Sequence, residues 1–434
     1  MKQKINLGLL GCGTVGTGVI KVLQENYHDI RAKIGVDIAV TKVLVRNVQK
    51  KRNFDCNVDD IVFTDNADDI INDKDIDIVV ELLGGIHPAR EYMLAAMNAG
   101  KHIVTANKDV VAQFGDDMFN AAQKNNVDFM FEASVGGGIP IITPLKQCLT
   151  ANKITELIGI VNGTTNYMLT KMTEQGMDYA TALARAQAKG YAEADPSADV
   201  EGLDAARKAA ILSSIAFNTR VNLDDVSIEG ITNITPEDIT YADELGYIIK
   251  LLVIARNTQD GINVRVHPTF LPKDHPLASV RNVYNAIFIH GNAVGDTMFY
   301  GKGAGEKPTA SAVIADIIDV VRDMNKDRFG RVPCTYYETK KLCPPDKVLS
   351  GYYIRLLVAD KPGVLGAIAT AFGQSGISLY SVIQKRRFGE TSEIVAITHN
   401  VNDNQLEDVK VRLNNLGVVD KICNIIRVVI SQEE

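Results

Sequence analysis

The stretch Ile5-Asn6-Leu7-Gly8-Leu9-Leu10-Gly11-Cys12-Gly13-Thr14-Val15-Gly16 decides how this chain is read. Ile5–Leu10 has the length and apolar content of a buried strand. Gly11, Gly13 and Gly16 then follow in the spacing G-x-G-x-x-G as a helix begins near Thr14. A strand that turns through glycines into a helix lets a pyrophosphate approach the helix N-terminus, where unpaired backbone N–H groups favour an anion. Gly11, Gly13, Thr14, Val15 and Gly16 are therefore candidate cofactor-binding residues.

Working outward, strand-like runs at Val36–Val45, Ile76–Leu83 and His102–Thr105 alternate with helical patterns such as Pro88–Ala99. That alternation predicts an α/β fold with a doubly wound parallel sheet. At the end of the second strand, Leu44-Val45-Arg46-Asn47 offers an arginine where an NAD-selective site presents an acid, and Lys50, Lys51 and Arg52 follow. An arginine there can hold the adenosine 2′-phosphate, so NADP(H) is the preferred cofactor, with NAD(H) the alternative; a solvated basic loop is the other reading.

With 434 residues the chain is too long for one core, at roughly 150 residues per domain. The apolar fraction of 46%, the charged fraction of 23% and the formal charge of −7 give no field that would attract nucleic acid or an anionic membrane. Six cysteines without a CxxC pair fit a reduced cytoplasmic compartment. The apolar stretch after Lys2 and Lys4 is too short and glycine-broken for a signal sequence, and no apolar run is long enough to span a membrane.

The pattern changes after about Ile139 to longer helices interleaved with strands at Lys153–Val161, Ile262–Phe270 and Asn285–His290, with Asp199–Phe217 as the most persuasive helix. This predicts a second, mixed α+β domain. The proline-containing residues 325–349 read as a linker. The remainder reads βαββαβ: Tyr352–Ala359, Gly363–Gln374, Ile377–Gln384, Glu393–His399, Asn404–Leu416 and Val419–Ile430. It is treated as a separate small unit.

Three further segments carry chemistry. Thr105-Ala106-Asn107-Lys108 sits at the C-terminal end of a strand, the edge where open α/β sheets gather ligands, so Lys108 is either a site residue or a solvated one. Glu132-Ala133-Ser134-Val135-Gly136-Gly137-Gly138-Ile139-Pro140 joins a carboxylate to three consecutive glycines, whose carbonyls can turn toward a ligand or hard cation; a domain hinge is the alternative. Finally, Gly190-Tyr191-Ala192-Glu193-Ala194-Asp195-Pro196 leads into a helix with Asp204 and Lys208 four apart, on one face. Such a pair is commonly a surface ion pair, but a lysine beside a carboxylate can also protonate a carbonyl oxygen that gains charge on hydride attack. Glu193 and Asp199 lie in position to bind an ammonium group.

Taken in order, GCGTVG, TANK, EASVGGGIP, GIVNGTTNY, GYAEADPSADVEGLDAARKAAIL and GKGAGEKPTA closely resemble the homoserine dehydrogenase family, over residues 5 to about 322. The resemblance implies a Rossmann-type nucleotide-binding domain and the reversible reduction of L-aspartate 4-semialdehyde to L-homoserine, in the biosynthesis of threonine, methionine and isoleucine. It implies that Lys208 is the acid/base residue, that Glu193 and Asp204 hold the substrate's amino group, and that Lys108 sits at the cofactor–substrate junction. Glu132, with the carbonyls of Val135, Gly137 and Ile139, would bind a structural sodium ion, and Gly190 and Gly305 would contact the nicotinamide nucleotide. It also implies a discontinuous first domain, 1–138 plus 304–324, around a substrate-binding and dimerisation domain, 139–303.

Residues 350–434 resemble an ACT domain, with Asp360, Gly363, Val364 and Leu365 as the implied effector contacts. The resemblance points to a homo-oligomer, a dimer or larger, with L-threonine as the effector; a purely dimerising role for this unit is the alternative. Two competing readings of the whole chain are a dehydrogenase of another amino-acid aldehyde and a non-enzymatic dinucleotide-sensing regulator. The GYAEADP through LDAARK stretch argues against the first, and Lys208, Asp204 and Glu193 together argue against the second.

Overall fold

The computed structural model describes residues 3–50, 54, 57–324, 330 and 334–430. They gather into two compact units, Met1–Leu157 with Arg207–Asp225 and Tyr284–Thr339, and Ile158–Ala206 with Val226–Val283 and Lys340–Glu434.

The chain opens with β1 (Lys4–Leu10), α1 (Thr14–Glu25), α2 (Tyr27–Ile34), β2 (Asp37–Leu44), β3 (Val62–Thr64) and α3 (Asp68–Ile71). It continues through β4 (Ile78–Glu81), α4 (Ala89–Asn98), β5 (His102–Thr105), α5 (Lys108–Asn125) and β6 (Phe129–Met130). There follow β7 (Ile154–Ile160), α6 (Gly163–Gln175), α7 (Tyr179–Ala188), α8 (Ser197–Val200), α9 (Leu203–Ala216), β8 (Ser227–Ile228) and α10 (Pro236–Glu244). Next come β9 (Tyr247–Thr258), β10 (Gly261–Pro272), β11 (Tyr284–Gly291), β12 (Gly295–Lys302) and α11 (Glu306–Met324). The last elements are β13 (Leu349–Ala359), α12 (Val364–Gln374), β14 (Leu379–Phe388), β15 (Thr391–Thr398), β16 (Val401–Asn402), α13 (Asp403–Asn414) and β17 (Val419–Val428).

In the first unit six strands form a parallel sheet in the order β3-β2-β1-β4-β5-β6. This is the doubly wound arrangement, whose strand order reverses between β1 and β4, so that a crevice opens at their C-terminal ends. Its core joins Ile5, Leu7 and Leu9 of β1 and Val19 and Ile20 of α1 to Val313, Ile317 and Val320 of α11. Residues far apart in sequence thus complete one apolar layer.

The second unit is built on strands in the order β7-β9-β10-β17-β13-β15-β14. The βαββαβ segment supplies the last four, and α12 and α13 cover one face: Ile354, Leu356 and Ala396 pack with Ile368, Phe372, Val409 and Leu413. Sequence reading sets this segment apart, yet in the fold β17 lies parallel to β10 through Thr269↔Arg427 and Phe270↔Val428, making its sheet continuous with the β9–β10 hairpin.

The opposite face of the same strands packs on α10. Asp238, fully buried, closes a capping box with Thr235 at the start of α10. The same carboxylate accepts hydrogen bonds from Tyr353 Oη at 3.0 Å, Arg355 Nε at 2.9 Å and Asn424 Nδ2 at 2.7 Å. Arg355 also reaches Glu393 at 2.8 Å, and Tyr241 Oη donates to Glu393 at 2.9 Å. The Phe270 and Tyr353 rings stack at 4.4 Å beside this network.

Three expectations are altered. The helix expected over Asp199–Phe217 is two, α8 and α9, broken at Gly202, whose φ of +88° is left-handed. The strand expected over Ile377–Gln384 runs instead from Leu379 to Phe388. Of the expected linker, residues 325–329 and 331–333 lie outside the described residues, as do Lys51 and Arg52 of the basic run. The described part is packed: Tyr336 meets Phe119 edge-on at 5.7 Å, Glu338 bridges Thr219, and Leu342 bridges Ile262. Among the described residues no helix is long and apolar enough to cross a membrane.

Removing one partner of a buried, hydrogen-bonded ion pair strands the other charge, at a cost of about 3–5 kcal/mol. Asp238→Ala is therefore expected to lower the unfolding free energy by about that amount in urea titration. A loss within about 1 kcal/mol would mean that the pair behaves like a solvated surface contact.

Candidate active site

In the first unit the fingerprint glycines occupy three different environments. Gly11 has a φ of +108°, and a Cβ there would lie 2.9 Å from the Leu82 carbonyl oxygen; a Cβ on Gly16 would lie 2.5 Å from that of Gly11. Gly13 faces open space. Tight turn, open approach and close packing are the three requirements of a pyrophosphate loop, so the residues present fit a dinucleotide. Beside the loop is a cavity of about 510 Å³ lined in part by Gly11, Gly13, Arg46, Lys50, Asp65 and Tyr92. Arg46, exposed, therefore stands at the same cavity as the glycines.

The floor of this region is held by a carboxylate that sequence reading missed. Glu81, at the end of β4 and fully buried, accepts from Leu83 N at 2.7 Å and from Thr105 Oγ1 at 2.6 Å. Burial pushes its carboxyl above the usual range, against the opposing effect of these hydrogen bonds. Thr105 Oγ1 accepts from Asn107 N at 2.9 Å, and Asn107 caps α5 through Val110 N while donating to the Gly85 carbonyl at 2.7 Å. Lys108 is the first residue of α5. Asp109, next to it, pairs at 2.9 Å with Arg207, which adjoins Lys208, so the elements bearing the two candidate lysines are fastened together there. Lys208 is half-buried.

Glu132 is buried, and its carboxylate accepts from the backbone N–H groups of Ile141, Ile142 and Thr143 at 2.6, 2.8 and 2.7 Å. Its own N–H donates to Asp316 at 2.8 Å. Burial, and the charge of Glu132 nearby, push the Asp316 carboxyl well up, while burial pulls neighbouring Lys146 down to about 8. In the glycine run, a Cβ on Gly137 would lie 2.4 Å from the Gly303 carbonyl oxygen, and Gly138 N donates to the Lys302 carbonyl at 3.0 Å. The loop is thus pressed against the segment leading to Gly305, whose carbonyl accepts from Thr309 N at 3.1 Å in the first turn of α11. Three of the roughly four lone-pair positions of Glu132 are taken. One remains for a cation, and with the carbonyls of Val135, Gly137 and Ile139 the donor set is all oxygen, as a hard cation requires.

The second unit assembles carboxylates. Asp204, buried in the first turn of α9, and Asp199, half-buried in α8, both accept from the side-chain amide of Asn162, at 2.9 and 2.7 Å. Glu193 is exposed in the loop after α7, whose turn includes Gly190 at a φ of +71°. Thr164 Oγ1 donates to the Tyr191 carbonyl at 2.6 Å, tying that loop to the start of α6. Lys208 follows Asp204 by four residues on α9, one turn along the same face. In the C-terminal segment, Gly363 begins α12 with a φ of +90°, Asp360 pairs with Arg387 at 2.5 Å, Val364 is buried and Leu365 is exposed.

Three histidines have structural or surface settings. His267 is buried, which drives its pKa well down; His290 pairs with Asp296 at 2.7 Å, and His275 caps a turn at Leu277. Asn162, like Glu81, was missed; its signal was an asparagine between a strand and a helix, an N-cap pattern.

Three family models match the chain: one described as homoserine dehydrogenase, NAD binding domain matches residues 11–132, one described as homoserine dehydrogenase matches 140–318, and one described as ACT domain matches 352–418. A homoserine dehydrogenase of Synechocystis is 45% identical over 98% of this chain and 99% of its own. The crystal structure of a homoserine dehydrogenase from Thiobacillus denitrificans is similar with a TM-score of 0.92 at 43% identity, covering 98% of both chains. A hyperthermophilic archaeal homoserine dehydrogenase in complex with NADPH has a TM-score of 0.63 at 28% identity, over 73% of this chain and 97% of that one. With its parallel nucleotide-binding sheet, its mixed-sheet unit and its C-terminal ACT domain, the chain belongs to the homoserine dehydrogenase family of NAD(P)-dependent oxidoreductases.

Proposed function

We propose that this chain reduces L-aspartate 4-semialdehyde to L-homoserine reversibly, with Lys208 as proton donor and Glu193, Asp199 and Asp204 receiving the substrate's ammonium group. The observation that carries this reading is the placement of Lys208 one helical turn after the buried Asp204 on α9. When bound, the reduced nicotinamide nucleotide supplies the hydride. The chain's part is electrostatic: as the aldehyde oxygen gains charge, the Lys208 ammonium donates a proton to it, and in the oxidative direction the neutral amine takes that proton back.

The glycines 11, 13 and 16, with Thr14, Val15, Lys108, Gly190 and Gly305, would hold the nucleotide, and Arg46 would hold a 2′-phosphate, favouring NADP(H) over NAD(H). Support comes from Arg46 lining the cavity of the fingerprint glycines, and from the archaeal relative bound to NADPH. Glu132, Val135, Gly137 and Ile139 would hold a sodium ion that orders the glycine loop. We assign nucleotide binding to residues 1–138 and 304–324, substrate binding and dimerisation to 139–303, a connection to 325–349 and regulation to 350–434, in a cytoplasmic homo-oligomer. The effector is L-threonine, contacting Asp360, Gly363, Val364 and Leu365.

Lys208→Ala should lower turnover by about 10²-fold or more while leaving nucleotide binding, read by fluorescence titration, nearly unchanged. Turnover close to wild type would exclude the proton-donor role. Arg46→Ala should raise the KM for NADPH far more than that for NADH, and equal losses in a paired coenzyme assay would rule out a 2′-phosphate contact.

The regulatory reading is best tested by point substitution, because truncation before β13 would also strip β17 from β10 and leave Asp238 without three of its donors. Threonine should inhibit the full-length chain, and Gly363→Val or Leu365→Ala should blunt the response without changing the uninhibited rate. A threonine series that leaves the wild-type rate flat into the millimolar range would refute it.

A further inference from the structure

We propose that Asn162 is a positioning residue of the substrate site: its side-chain amide holds the Asp199 and Asp204 carboxylates together so that both face one ammonium group. The proposal rests on the reading of those carboxylates given above.

Asn162 follows β7 and stands at the N-cap of α6, 5% exposed. Its Oδ1 accepts from Thr165 N and from Thr165 Oγ1, each at 2.9 Å, which fixes the capping side of the amide. The Nδ2 group, with its two N–H bonds, is then left to donate one to Asp199 Oδ1 at 2.7 Å and one to Asp204 Oδ2 at 2.9 Å. Rotating the amide by half a turn would set its carbonyl against two carboxylates and its N–H bonds against the Thr165 N–H, so only one orientation is tolerable.

Two carboxylates converging on one nitrogen repel each other, and the repulsion is strongest where one of them is buried, as Asp204 is. The amide offsets that repulsion without supplying a charge. Each carboxylate accepts one hydrogen bond from the amide. A lysine or arginine in the same place would neutralise the pair and compete with the substrate's ammonium; a neutral donor preserves the negative field. The neighbouring turn is held as well, since Thr164 Oγ1 donates to the Tyr191 carbonyl and the Tyr167 and Tyr191 rings meet at 5.0 Å.

The alternative, that Asn162 only caps α6, makes a different prediction for Asn162→Asp. Aspartate caps a helix as well as asparagine does, and it is nearly the same size, but it replaces the donating NH2 group with an oxygen and so sets a third carboxylate beside the two. Homoserine oxidation followed at the nicotinamide absorbance should show a KM for homoserine raised by about tenfold or more, with the KM for NADP unchanged and the melting temperature close to wild type. The defect should deepen as pH rises: three clustered carboxylates raise the pKa of one of them, the protonated form can still bond a neighbour, and the ionised form cannot. Asn162→Ser, which keeps a capping oxygen and a single donor hydrogen, should give a smaller loss without that pH dependence. A homoserine KM near wild type in both variants across the pH range would overturn the proposal and leave Asn162 as a cap. Asp204→Asn separates the two levels, because an unchanged homoserine KM in that variant would bring down the substrate reading itself.

Discussion

A charge taken out of water must be compensated in place, and the fully buried Asp238 shows what that demands of this fold. Its carboxylate closes the first turn of α10 through Thr235 and at the same time accepts from Tyr353, Arg355 and Asn424. Neither surface is satisfied without the other. The start of α10 needs the acid for its cap, and Arg355, buried on a strand, needs Asp238 and Glu393 to balance its guanidinium. At β13 the ACT-type sheet is therefore engaged on both faces, by its own helices on one side and by α10 at Asp238 on the other. Parallel pairing of β17 with β10 removes one of its edges too.

Elsewhere the same economy recurs with a different partner. Glu81 and Glu132 are buried acids that accept backbone N–H groups from turning chain, at Leu83 and Gly84 in one case and at residues 141–143 in the other. Each fixes a loop that borders the candidate site. Asp199 and Asp204 are held by a side-chain amide instead, one donor apiece. On the proposed reading the difference is one of charge: backbone donors hold a loop to its acid, whereas a neutral amide beside two carboxylates adds no positive charge to compete with an ammonium group.

Much of this was legible in the sequence because it is local. The fingerprint at Gly11–Gly16, the alternation of strands and helices through Thr105, and the i, i+4 placement of Asp204 and Lys208 are short-range patterns, and each has its counterpart in β1–α1, the six-stranded sheet and α9. The break at Gly202 was not anticipated, because apolar periodicity continues across it and only the left-handed φ interrupts the helix. The β10–β17 pairing joins residues about 160 apart in sequence, and no local pattern specifies it. One clue was present: Arg355 within Tyr352–Ala359 and Glu393 beside Ile394 are charged residues inside runs otherwise suited to a buried strand, which implies a polar partner on the second face. Glu81, an acid ending an apolar strand, and Asn162, between a strand and a helix, belong to the same class of signal.

These constraints narrow how the proposed effector at the Asp360–Leu365 loop would act on the proposed substrate carboxylates. The loop is the direct continuation of β13, the strand that carries Tyr353 and Arg355 to Asp238. Behind Asp238, α10 packs on α6, and the N-cap of α6 is Asn162, the residue that holds Asp199 and Asp204. A ligand changes an equilibrium only by its differential affinity for two states, for which about 1–3 kcal/mol is usual. A shift of β13 relative to α10 alters the geometry of charge-assisted hydrogen bonds in a buried setting, where they are steep functions of distance and orientation. Differences of that size are thus available from small displacements of a packed sheet, with no rotation of a tethered module. On the proposed reading, regulation through this path would work on carboxylate placement, and so on substrate affinity, before it worked on proton transfer at Lys208.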